Sequence, residues 1–159
     1  MFALYSGYLE KSQVKEGFFS CAPITEDVAN KSVWVVQQFG YDCVAYQNSN
    51  ELSLTVYIDE RPVARVIEGC NSVSIIILFV AFILAFSSSF LATLSYIILG
   101  SVLIYAVNIF RIAIIGIALY EFPEQQRFLH QLLFPAIIYG LVLILWVIWV
   151  QKFSKVKRD

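Results

Sequence analysis

The chain has 159 residues, 59% of them hydrophobic and only 14% charged, with a mean hydropathy of +0.73. That balance excludes an ordinary soluble domain. A net charge of −1 gives no reason to expect nucleic acid as a partner.

A helix that crosses a bilayer needs about 20 mainly apolar residues. Three stretches meet this: Ser72 to about Phe90, Leu91 to about Tyr120, and Leu132 to Val150. The fold class these imply is an all-α polytopic membrane bundle of three spans, with a fourth truncated at the N-terminus and a small α+β cap outside the membrane. In chain order, residues 1–9 are apolar but too short to span, and they lack the basic start of a signal peptide. They read as the remnant of an upstream span; the alternative is an apolar tail lying on the surface.

Residues 10–69 form the predicted extracytoplasmic cap, a helix followed by short strands. Thr25 is the expected N-cap, with Glu26 and Asp27 in the first turn. Val28, Val35, Val36 and Phe39 share a helical face before Gly40 ends it. Leu52, Leu54, Val56 and Ile58 alternate with Ser53, Thr55 and Tyr57 as in a half-buried strand. Turns are expected at Asn48-Ser49-Asn50 and Asp59-Glu60-Arg61-Pro62.

Residues 70–153 form the predicted transmembrane catalytic core, and residues 154–159 a basic cytoplasmic tail. Lys152, Lys155, Lys157 and Arg158 follow the last apolar run, so the positive-inside rule puts that end in the cytoplasm. Three alternating spans then bring Cys70, Arg111 and His130 to the outer side, and leave Ser87-Ser88-Ser89 as a cytoplasmic turn.

Those three residues carry usable chemistry. Cys70 stands where the polar segment meets the first apolar run, followed by Asn71. Asn108 and Arg111 lie three apart on one helical face, with Tyr105 and Ser101 continuing the stripe. An arginine inside a span costs at least ~2.5–3.5 kcal/mol and normally faces a bundle interior or a wet cavity. The bland reading has it snorkelling to headgroups or pairing with Glu121 or Glu124. His130 is the single histidine, more often an interfacial hydrogen-bonding residue than a catalyst. One histidine without clustered cysteines builds no metal site, and no cofactor is implied. A thiol becomes a good nucleophile near a cation, an imidazole moves protons near neutrality, and a guanidinium stabilises an oxyanion. Together they suffice for acyl transfer through a thioester.

"EGCNSVS", "NIFRI" and "FLHQLLFP", in this order on successive apolar runs, resemble the exosortase/archaeosortase family of membrane-embedded cysteine transpeptidases, closest to the short F subtype of exosortase. The likeness covers Val66 to about Phe153. It implies Cys70 as nucleophile, Arg111 as electrostatic stabiliser and His130 as general acid/base, with Asn108 and Asn71 in support. Where the family usually has Cys-Ser-Gly, this chain has Cys70-Asn71-Ser72, so a different local turn is expected. The resemblance further implies an exported protein with a C-terminal sorting signal as substrate, and an unspecified amine, glycan or lipid as acceptor. The setting it implies is the bacterial plasma membrane.

Three rivals remain at this level. A non-catalytic membrane scaffold would use Cys70 as a small apolar residue and Arg111 in helix packing. A thiol–disulfide enzyme lacks the C-x-x-C pair it would need, and a membrane serine protease lacks a nucleophile turn. Cys21 and Cys43 are candidates for a structural disulfide, but spacing alone does not show that they meet.

Overall fold

The computed structural model describes residues 14–15, 18–19, 21, 23–48, 53–67, 70–86, 89–125 and 134–152. Strands β1 (Val14–Lys15) and β2 (Phe18–Phe19) form a small antiparallel ladder. Helix α1 (Pro23–Gln38) follows, then β3 (Cys43–Gln47), β4 (Ser53–Ile58) and β5 (Arg61–Ile67). Three apolar helices complete the chain: α2 (Val73–Ala85), α3 (Phe90–Glu121) and α4 (Phe134–Lys152). A 3₁₀ turn at Pro123–Gln125 follows α3.

Proline's preset φ suits a first helical position, and α1 starts at Pro23, two residues before the expected cap. Thr25 is therefore inside the helix and fully buried. Val28, Val35 and Val36 are buried as the periodicity predicts, whereas Phe39 lies beyond the last turn and is 63% exposed. Gly40 ends the helix with a positive φ of 91°.

The three long strands form an antiparallel meander in the order β3-β4-β5. Leu54, Val56 and Ile58 point inward against α1 and contribute ~1.5–3 kcal/mol each through burial. Leu52, Ser49 and Asn50 lie outside the described residues. The β4–β5 turn places Asp59 and Glu60 at φ 47° and 64°, a two-residue hairpin turn normally built with Asn-Gly. Arg61 and Pro62, expected in that turn, open β5 instead. The strained Asp59 is pinned from two sides: its N–H donates to Asp42 O at 2.9 Å, and Tyr120 Oη donates to its carboxylate at 2.8 Å.

α3 joins the two halves of the molecule. Its C-terminal part packs on α1 and the sheet, and Ile109, Ile112 and Ala113 enter the core of the α+β layer. Its N-terminal part packs on α2 and α4 around Phe79, Ile83, Ile104, Val142 and Trp149. Gly100 permits this approach, since a Cβ there would lie 2.3 Å from Phe79 Cζ. Large apolar side chains of α3 nevertheless point outward, among them Leu91, Leu94, Leu99 and Val102. Such a belt marks a surface made for a non-aqueous neighbour.

The expected all-α polytopic bundle is corrected on two counts. The fold is α+β, with a three-stranded sheet and α1 as a layer on α3. Among the described residues, one helix, Phe90–Glu121, is long and apolar enough to cross a bilayer. The first predicted run yields a helix of only 13 residues, ~20 Å against ~30 Å of hydrocarbon. Asn71 and Ser72 are consumed by a turn, and the helix stops before Phe86. Among the described residues the last run gives a shorter apolar helix, Ala136–Lys152. An apolar run sets an upper limit on a helix; the turns at its ends decide its length. The predicted remnant at residues 1–9 and the basic tail after Lys152 lie outside the described residues.

Candidate active site at the junction of cap and apolar helices

Cys70 follows β5 by three residues and precedes α2 by three, so a sheet strand on one side and a helix on the other hold it. The intervening turn is specified by side chains. Asn71, 1% exposed, accepts the Val73 N–H on its Oδ1 at 3.1 Å and donates from Nδ2 to Thr25 Oγ1 at 3.2 Å. Ser72 adopts the left-handed conformation (φ 59°, ψ 0°), and its hydroxyl donates to Asn71 O at 2.7 Å. That backbone ordinarily favours glycine. Here a serine adopts it, with its hydroxyl bonded back to the main chain.

The polar stripe of α3 reaches the same place. Asn108, 1% exposed, donates to the Cys70 carbonyl at 2.7 Å. One turn earlier, Tyr105 Oη donates to Asp27 of α1, which also pairs with Lys31 at 2.6 Å. These bonds hold the Asp27 carboxyl below the usual carboxylate range and raise the Lys31 ammonium. Ser101 continues the stripe toward the base of the helix, away from the cap.

Arg111 is half-buried and faces a cavity of about 770 Å³ that Cys70 also lines. The thiol is within electrostatic reach of the guanidinium, as is the Tyr139 hydroxyl of α4. The suggested Arg111–Glu121 pair is ruled out by helical rise, since ten residues separate them by ~15 Å. Glu121 instead accepts from Tyr41 Oη at 3.1 Å. From Phe90 to Arg111 the helix rises ~31 Å, one hydrocarbon thickness. Arg111 thus lies about one hydrocarbon thickness along α3 from its first residue, and Cys70 lines the same cavity.

The structure thus brings together Cys70, Asn71, Asn108 and Arg111; His130 lies outside the described residues. Cys21 and Cys43 are both buried in the core of the α+β layer, and no disulfide joins them. Burial, with Asp42 adding to it, pushes the Cys43 thiol up to about 11, so it is chemically quiet. Sequence reasoning missed Thr25 as the anchor of the Asn71 turn, and missed Arg65 and Tyr57, which line the cavity from the sheet. No local signal marks them, because each meets the site only through the fold. Among the described residues no group of His, Cys, Asp and Glu could hold a metal ion.

A thiol and a guanidinium line one cavity between an α+β layer and an apolar helix long enough to cross a bilayer, the arrangement of a membrane-associated protein. Residues 18–149 match the transmembrane exosortases (Exosortase_EpsH), and the chain belongs to that family. Membership sets it among membrane proteins concerned with the processing of sorting signals, in a family of cysteine transpeptidases, and defines no subtype. No curated protein and no solved structure matches the chain.

Proposed function

We propose that the protein is a cysteine protease/transpeptidase that cleaves C-terminal sorting signals of exported proteins through a thioester. The observation that carries this reading is the shared cavity of Cys70 and Arg111 at the head of an apolar helix. In the reaction, the Cys70 thiolate attacks the scissile carbonyl carbon, and Arg111 stabilises the oxyanion that forms. His130 takes the thiol proton and returns it to the departing amine, so the C–N bond breaks and the thioester remains. An acceptor amine, or a hydroxyl of a glycan or lipid, then displaces Cys70. Asn108 holds the nucleophile's own carbonyl, and Asn71 holds the turn that follows it.

The site faces the extracytoplasmic side of a bacterial plasma membrane, and the basic end faces the cytoplasm. Two contacts support this polarity. Trp149 Nε1 donates to Phe86 O at 3.0 Å, and Tyr96 Oη donates to Leu145 O at 2.8 Å. They put the Lys152 end of α4 beside the base of α3, opposite the cap, so Lys152 and Cys70 sit at opposite ends.

The test is mass spectrometry of exported proteins in wild-type, deletion and Cys70→Ala strains, with an impermeant thiol reagent reporting the side of Cys70. Retained C-terminal tails in both mutants support the reading. Normal processing by Cys70→Ala overturns it and leaves a scaffold role.

A further inference from the structure

Five consecutive residues of β5, Pro62–Val66, line the cavity. Successive side chains of a strand point to opposite faces, so a cavity touching five in a row takes in the strand's edge, and Asn48, Thr55 and Tyr57 extend it over one face of the sheet. On that edge β5 has no strand neighbour among the described residues, since the sheet order is β3-β4-β5. Such an edge presents alternate N–H and C=O groups that a further strand can take up.

The groove has a direction. At its far end the Arg61 guanidinium lies over the Tyr120 ring, 5.9 Å from the centroid, and Val63 packs near Gly116 and Leu119. At its near end Val66 leads on to Cys70 opposite Arg111 and Ile112. One wall is apolar, made by Ile112, Ile115 and Leu119 of α3; the other carries Thr55, Tyr57 and Arg65 of the sheet.

We propose that this groove binds the substrate as a fourth strand: an extended peptide segment of the exported protein, hydrogen-bonded to the open edge of β5, whose scissile carbonyl is delivered to Cys70. The proposal rests on the cysteine transpeptidase reading and adds how the substrate is recognised. A helix satisfies its own backbone and gains nothing from an open edge, whereas an extended chain gains partners at every second residue. Pro62–Val66 spans ~16 Å at ~3.3 Å per residue, so about five substrate residues are read. Main-chain bonds supply affinity, and the unlike walls select alternating apolar and polar side chains. The cavity volume of about 770 Å³ suits such an occupant, within the ~300–1,000 Å³ of typical ligand sites.

The experiment uses full-length protein in nanodiscs and the peptide acetyl-Thr-Val-Thr-Val-Cys-amide, supplied as its mixed disulfide with cysteamine. Thiol–disulfide exchange joins Cys70 Sγ to the peptide sulfur and releases cysteamine as the thiol. The expected result is conjugation at Cys70 at least tenfold above cystamine under equal cysteamine. N-methylation of one alternating pair, both threonines or both valines, should remove that preference, while methylation of the other pair leaves it. Amide exchange at alternate positions of Val63–Ile67 should slow at least tenfold on conjugation. Equal conjugation by all peptides, no gain over cystamine, or unchanged β5 exchange overturns the proposal. Protection of β5 alongside normal processing by Cys70→Ala cells would keep the groove and reject the chemistry; the reverse pair of results would keep the chemistry and reject the groove.

Discussion

Replacing Asn108 by alanine tests how the nucleophile's backbone is held. The Asn108 amide is buried and donates to the Cys70 carbonyl at 2.7 Å. Its removal deletes a hydrogen bond with a net value of ~1 kcal/mol and leaves the carbonyl undersatisfied, for a combined cost of ~1–3 kcal/mol. With ~2 kcal/mol as the working figure, the melting temperature of purified protein should fall by ~4–8 °C at this chain length. Processing should fall further than stability alone explains, by ~10–100-fold, because a displacement of ~1 Å at a reacting centre costs about that much. Asn108→Leu keeps the volume and loses the donor, so it should reproduce the loss of processing; Asn108→Asp sets an acceptor against an acceptor and should be worse. Wild-type processing by Asn108→Leu, with melting within ~1 °C of wild type, would refute the argument.

The Ser72 turn should accept glycine and resist a β-branched residue: Ser72→Val is expected to cost ~2 kcal/mol, read by thermal melting, because φ is 59° there. Gly100→Ala drives a methyl into the buried Phe79 ring and should cost ~1–3 kcal/mol; Phe79→Leu should return part of it in the double mutant. Alkylation at pH 8 should modify Cys70 and spare Cys43, whose thiol titrates near 11; because that value is raised, the stability linked to it is complete below the ordinary thiol range and is lost as pH rises toward 11. Asp27 has the opposite sign: its lowered carboxyl stabilises the cap above pH ~4 and loses that contribution as pH falls through the folded value. The effect should be only a few tenths of a kcal/mol for so exposed a pair, visible as a difference between wild type and Asp27→Asn in acid melting curves.

Local pattern alone was enough for several features. The valine periodicity of α1, the alternation of β4 from Leu54 to Ile58 and the stop at Gly40 follow from side-chain geometry within a few residues, and the structure agrees with each; Ser53, expected to face outward, is buried instead. The long apolar stretch of α3 and its polar stripe were equally plain, because an arginine three residues from an asparagine in such a run has few places to go. The family itself was legible in three short motifs taken in order.

What the pattern could not decide was set by partners far away in the chain. Thr25 reads as a cap by its neighbours, yet its hydroxyl serves Asn71, 46 residues on. The first apolar run reads as a span by composition, yet the turn at Asn71-Ser72 and the stop before Phe86 trim it to 13 helical residues. The sheet edge beside Cys70 is invisible in β5 itself, because whether a strand has one neighbour or two depends on topology and not on its own residues. Hydropathy and periodicity are sums over adjacent side chains and determine which surface each segment must bury. Which other segment buries it, and which edge is left open, depends on contacts across tens of residues, and those form only in the folded chain.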